Sequence, residues 1–235
     1  MNLAAAELSR LMAYLDNQDL WYELFQAGVG DAPSWVVEVL TSLARFTRAM
    51  STLHNYSLLE VSEGRHSVHT CVHDWTLDYL NHQLNAERCG IAIHCVAASV
   101  SWESEADYWV RNRLVLPHAR RFRHVRFNGL IGCSQTEPED LLSLAALYNQ
   151  NDLNMEAEEM YMRALRGSEK AWGPEHTSTL GTVNNLANLY ADQGKMVEAE
   201  EMYVRALRGY QKTVGNDRPT TQKIARNPQA LQARK

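Results

Sequence analysis

The chain repeats itself. Residues 144–173, LAALYNQNDLNMEAEEMYMRALRGSEKAWG, align with residues 186–215, LANLYADQGKMVEAEEMYVRALRGYQKTVG, at an offset of 42, and 17 of the 30 positions are identical. This constrains the fold more than any single residue does. A recurring unit of about 20–50 residues is one supersecondary element that cannot bury its apolar face alone, so its neighbours must stack on it.

Each unit reads as two helices. In the second unit Leu186, Leu189 and Tyr190 fall at i, i+3 and i+4, one face of a helix. Gly194 ends that helix. Ala199, Tyr203 and Ala206 then form a seam on the next one. Ala145, Tyr148, Ala157, Tyr161 and Ala164 are the equivalent set in the first unit. The alanines let helices approach closely, and the tyrosines fill the space between them.

This pattern resembles the tetratricopeptide repeat. Its small, aromatic, small, aromatic and small positions match Ala187, Tyr190, Ala199, Tyr203 and Ala206. The 42-residue period departs from the usual 34 and looks like the longer repeat of kinesin light chains and of many fungal signalling proteins. The resemblance implies a groove, lined by the first helix of each unit, that holds an extended peptide. Its positions map to Gly181, Asn184, Asn188 and Ala191, with Asn185 beside them, and to Leu142, Ala146 and Asn149 in the first unit. An asparagine amide can both donate to and accept from a peptide backbone. The plainer reading is that Asn184, Asn185 and Asn188 are solvated helix residues.

No third unit follows Gly215. Residues 216–235 contain Pro219 and Pro228 and little apolar content, and are expected to be mostly disordered or weakly helical. That leaves the last repeat helix without a neighbour, and self-association through it is an expected consequence.

The N-terminal half reads differently. AAAELSRLMAYLDNQDLWYELFQAG gives an amphipathic helix and a shorter one, and SWVVEVLTSLARFTRAMSTLHNY one or two more. SLLEV (57–61) and HSVH (66–69) flank the turn SEGR, a hairpin signal, and VHDWTLDYLNHQL opens another helix with Asp74 in its first turn. Helices, a small hairpin and a helix are the order of a winged-helix domain. YLDNQDLWYELF with HTCVHDWTLDYL is similar to the winged-helix segment of fungal STAND-type NTPases, the NB-ARC and NOD-like receptor class. There a Val-His-Asp triplet contacts bound ADP, so the resemblance implies nucleotide sensing by His73 and Asp74. A histidine can donate to a phosphate oxygen. The chain has no GxxxxGK[ST] phosphate loop. ADP or ATP is therefore expected only if a nucleotide-binding core is supplied by an upstream segment or a separate chain. Without one, His73 reads as a structural histidine near a helix start.

Other constellations point nowhere firm. His66, His69, Cys71 and His73 are close in sequence, and His69 and His73 stand at HxxxH spacing, but no CxxC pair accompanies them to complete a tetrahedral set, so no metal site is expected. YWVRNRLVLPHARRFRHVRF (108–127) carries Arg111, Arg113, Arg120, Arg121, Arg123 and Arg126 among Tyr108, Trp109, Phe122 and Phe127. That suggests nucleic acid, yet the whole chain is acidic, with net charge -5. A helical connector, paired with the acidic runs at 137–140, 156–159 and 198–201, is the expected reading. No catalytic motif, signal peptide or apolar run long enough to span a membrane is present. Cysteines 71, 89, 95 and 133 are irregularly spaced, as free thiols in a reducing cytoplasm would be.

The expected architecture is mostly α: a winged-helix-like domain with one small hairpin over 1–85, a helical connector over 86–136, two tetratricopeptide repeats over 137–215, and the tail. The expected function is a protein–protein interaction module, resembling part of a fungal NOD-like receptor, and not an enzyme. A nucleotide-dependent switch acting with an absent core and a kinesin-light-chain-like cargo adaptor are the alternatives.

Overall fold

A computed structural model describes residues 3–30, 32–81, 85–102, 106–122, 137–216 and 218–232. The chain divides into two compact units, Met1–Thr136 and Glu137–Lys235.

The first unit opens with α1 (Leu3–Met12), α2 (Tyr22–Gln26), α3 (Ser34–Leu40) and α4 (Leu43–Asn55). Ala5, Leu8, Leu11 and Met12 are the buried face of α1, at helical spacing. Strands β1 (Leu59–Ser62) and β2 (Arg65–Val68) pair antiparallel, with Leu59 opposite Val68 and Ser62 opposite Arg65. The turn is tighter than the sequence suggests. Only Glu63 and Gly64 lie outside the strands, and both have left-handed backbones, φ 51° and 77°. Two such residues are what a two-residue hairpin turn with matching twist requires.

A third extended segment joins the hairpin. Leu20 and His66 exchange backbone hydrogen bonds of 2.9 and 2.8 Å, and the Val68 N–H donates to the Asn17 carbonyl. Helix, extended segment, helices and hairpin follow one another in this unit. Phe46 is the centre of the core, with the Tyr22 and Phe25 rings at 5.2 and 5.7 Å and His66 edge-on at 5.8 Å.

Helix α5 (Thr70–Trp75) runs into a π-helical turn at Thr76–Leu80. It begins earlier than expected, so Asp74 sits beyond its first turn. Helices α6 (Ala86–Ala98) and α7 (Tyr108–Arg121) follow, within the same compact unit rather than as a connector apart from it. Asn85 caps α6 by accepting from the Arg88 N–H, and the Asn85 N–H donates to the buried Tyr14 hydroxyl. Gly28 follows α2 where α6 passes so closely that a Cβ would meet the Cys95 backbone at 2.8 Å.

The second unit is five helices: α8 (Pro138–Asn149), α9 (Asn154–Trp172), α10 (Thr177–Asp192), α11 (Met196–Thr213) and α12 (Pro219–Gln232). The first four are the two repeats, a helical solenoid. Ala145, Ala157, Ala164, Ala187, Ala199 and Ala206 are all fully buried, and Tyr148, Tyr161 and Tyr203 fill the spaces among them. Helix α12 decides between the two expectations for the tail, disordered or weakly helical, in favour of helix. Pro219 is at its first turn, where the missing N–H costs nothing. Thr221 and Ile224 are buried, and the Asn227 amide reaches Asn184 on α10 at 3.4 Å. A capping helix needs only one narrow apolar face, and α12 packs on α11, so the last repeat helix does have a neighbour.

Candidate protein-binding face of the repeats

Helix α10 is mostly buried, but one stripe of it is not. Gly181, Asn184, Asn188 and Ala191 are half-buried, and Asn185 is exposed. Two of the amides are held in place. The Tyr203 hydroxyl donates to Asn188 Oδ1 at 2.6 Å, and Asn227 Nδ2 lies 3.4 Å from Asn184 Oδ1. Both contacts engage the acceptor oxygen, and neither Nδ2 amino group makes a hydrogen bond among the described residues. Asn185 makes no side-chain hydrogen bond among the described residues. In the first repeat Leu142, Ala146 and Asn149 hold the corresponding places, all half-buried.

The two repeats are locked in register beneath this stripe. Glu158 on α9 accepts from the Tyr190 hydroxyl at 3.3 Å and from Lys195 Nζ at 2.8 Å, and Lys195 lies over the Tyr190 ring at 5.1 Å. Arg205 on α11 pairs with Glu169 on α9, and Lys212 lies 3.3 Å from Glu175. Exposed pairs of this kind are worth at most about 1 kcal/mol each, so they set register more than stability. Burial raises the Tyr190 phenol, with Glu158 adding to it, and pushes the fully buried ring of Tyr161 up to about 12. Both stay neutral donors at physiological pH.

Glu158 and Glu159 are used within the repeats, Glu159 by Arg163 at 2.6 Å. On α7 the residues Asn112, Val115, His118 and Ala119 are buried and Phe122 is 1% exposed, so Phe122 is core rather than a stacking surface. Asn112 exchanges two hydrogen bonds with the Ser101 backbone, at 2.8 and 2.9 Å. Arg121 lies 3.9 Å from Asp74. Arg123, Arg126 and Phe127 lie outside the described residues, as does Cys133.

His73 is 4% exposed, and its Nε2 lies 3.0 Å from the Leu15 carbonyl. Its ring ties α5 to the end of the first helical segment. Burial lowers its pKa, and the nearby Arg121 lowers it further. The ring is therefore neutral at pH 7 and donates to Leu15. Asp74, 59% exposed, places one carboxylate oxygen between the His73 ring, with Nδ1 at 3.7 Å, and Arg121 at 3.9 Å. The neighbouring candidates are parted: His66 faces the Leu20 carbonyl, His69 faces Glu60, and Cys71 is exposed. His118 is fully buried, and its Nδ1 accepts from the Asp16 N–H at 3.2 Å. Nothing in the local sequence signals that tie, because its two ends are 102 residues apart.

Comparison with known proteins agrees with the fold of the second unit. Residues 139–212 match the tetratricopeptide repeat family, just under a third of the 235 residues. Arrays of this family are protein–protein interaction scaffolds and are in general non-catalytic. The crystal structure of BtubC (BKLC) from P. vanneervenii is similar at 18% identity and a TM-score of 0.45, over 97% of this chain and 83% of that one. No curated protein matches. No helix among the described residues is long and apolar enough to cross a membrane.

Proposed function

We propose that the second unit binds an extended segment of a partner protein along α10, with Asn184, Asn185 and Asn188 as hydrogen-bonding groups and Asn149 continuing the contact on α8. The observation that carries this reading is the fixed orientation of Asn184 and Asn188. Their oxygens are engaged by Asn227 and Tyr203, which leaves their amino groups as the donors this reading assigns to a peptide. Donors at two successive turns suit the carbonyls of a peptide in any sequence context. Solvated surface asparagines would not be held this way.

A random peptide library displayed on phage and selected on the purified full-length chain tests it. Selected peptides should lose about 30-fold in affinity when Asn184 and Asn188 are both changed to alanine, two hydrogen bonds at about 1 kcal/mol each. Peptides that bind the double variant unchanged would place the ligand elsewhere.

The first unit supports a finer reading, that the protein is built like a fungal STAND receptor. Val72, His73 and Asp74 follow the hairpin at the start of α5, as in that family's winged helix. His73 is committed to Leu15, so contact with ADP requires a nucleotide-binding core and a rotation of the ring. Nucleotide binding by this chain alone, removed by His73→Ala, would contradict the part assigned to such a core.

A further inference from the structure

Helix α11 turns a face to solvent that the repeat packing does not use. Val197 is 65% exposed, and Val204 lies two turns on, half-buried, on the same side. A cleft of about 550 Å³ runs along this face, lined by Val197, Glu201, Val204, Arg205 and Arg208 among others. Among the described residues, no side chain of α12 lines it.

Charge is polarised along the face. Glu200 and Glu201 lie toward its N-terminal end, and Arg205, Arg208 and Lys212 toward its C-terminal end. Arg205 and Lys212 are taken by Glu169 and Glu175. Glu201 and Arg208 are exposed and form no ion pair among the described residues. They stand on either side of Val204, about 10 Å apart along the helix by its rise per residue, too far to pair with each other. A helix macrodipole favours acids first and bases last. It does not account for an outward valine, Val204, between unpaired opposite charges.

One occupant satisfies Val204, Glu201 and Arg208 together, a second copy of the same face laid antiparallel. A two-fold axis near Val204 packs Val204 against its own symmetry mate. It brings Glu201 of each copy beside Arg208 of the other, so one contact is made twice. Helix α9 repeats the pattern with Met155, Glu159, Met162 and Arg166, and Met155 is 84% exposed, but there Glu159 is already paired with Arg163.

We propose that the protein self-associates as a two-fold dimer through the outer face of α11, with Val204 at the centre and reciprocal Glu201–Arg208 pairs around it. Sedimentation equilibrium of the full chain over a wide concentration range tests this. The 26.7 kDa species should give way to one of twice that mass as concentration rises. Glu201→Arg and Arg208→Glu should each weaken association ~10-fold or more. The double variant should restore it, because opposite charges face each other again across the axis. Loss of fold would not be rescued by a second charge change, so the double variant separates the two causes. A wild-type chain that stays at 26.7 kDa throughout, or a double variant no better than either single one, overturns the proposal.

Discussion

The two repeats share one seam and differ along the stripe beside it, and the difference separates folding from recognition. The buried alanines and tyrosines that hold each pair of helices together are the same residues at the same places. The half-buried stripe is not. It reads Leu142, Ala146 and Asn149 on α8 but Asn184, Asn188 and Ala191 on α10. A seam is fixed by volume, because a close-packed interior feels a single methylene. The stripe is free of that constraint, so its chemistry can serve a partner.

The same comparison predicts unequal responses at equivalent positions. Gly167 and Gly209 are 42 residues apart, and both lie inside a helix. A Cβ at Gly209 would meet Leu180 at 2.3 Å, whereas at Gly167 it meets Pro138 at 3.2 Å. Thermal or urea unfolding should show Gly209→Ala losing about 2 kcal/mol, the cost of overpacking. Gly167→Ala should be near neutral, because about 1 kcal/mol of helix propensity offsets a milder contact.

The residue that ends the first helix of each unit comes next. Gly194 has φ 76°, and its counterpart Asp152 holds a left-handed backbone at φ 58° without being glycine. Gly194→Ala should destabilise by about 1 kcal/mol. Asp152→Gly should change stability in the opposite direction by a few tenths of a kcal/mol. Equal signs in the two repeats would break the comparison.

The smallest pair is Ser168 and Tyr210. Ser168 is fully buried with an unpartnered hydroxyl, while Tyr210 donates to the Thr177 carbonyl at 3.0 Å. Tyr210→Phe should cost about 1 kcal/mol, and Ser168→Ala should gain roughly 0.5 kcal/mol by removing a buried unmet donor. Chemical denaturation of each variant reads both signs.

Much of this architecture was legible before any coordinates. A 42-residue identity pattern exposes the repeats because both copies obey the same packing rule. The hairpin showed through the alternating residues around Gly64, but its exact turn did not, because Ser62 and Arg65 suit a strand or a turn equally well. The Leu20 segment could not be read, since a single bridging residue has no periodicity to detect. Helix α12 was missed for a related reason. Among its described side chains only Thr221 and Ile224 are buried, and its prolines mimic a loop. The asparagines of α10 could be named as candidates, but what fixes their amides could not. Tyr203 is 15 residues away, and Asn227 is 43 residues away in a tail that reads as unstructured.

The central claim is that the Asn184 and Asn188 amino groups face a ligand. NMR of the full chain, following side-chain amide resonances while a library-selected peptide is titrated in, tests it most directly. Large shifts are expected for the Nδ2 protons of Asn184 and Asn188, with Asn185 affected and the outer face of α11 unmoved. Shifts confined to α9 and α11, with those two amides unchanged, would contradict it.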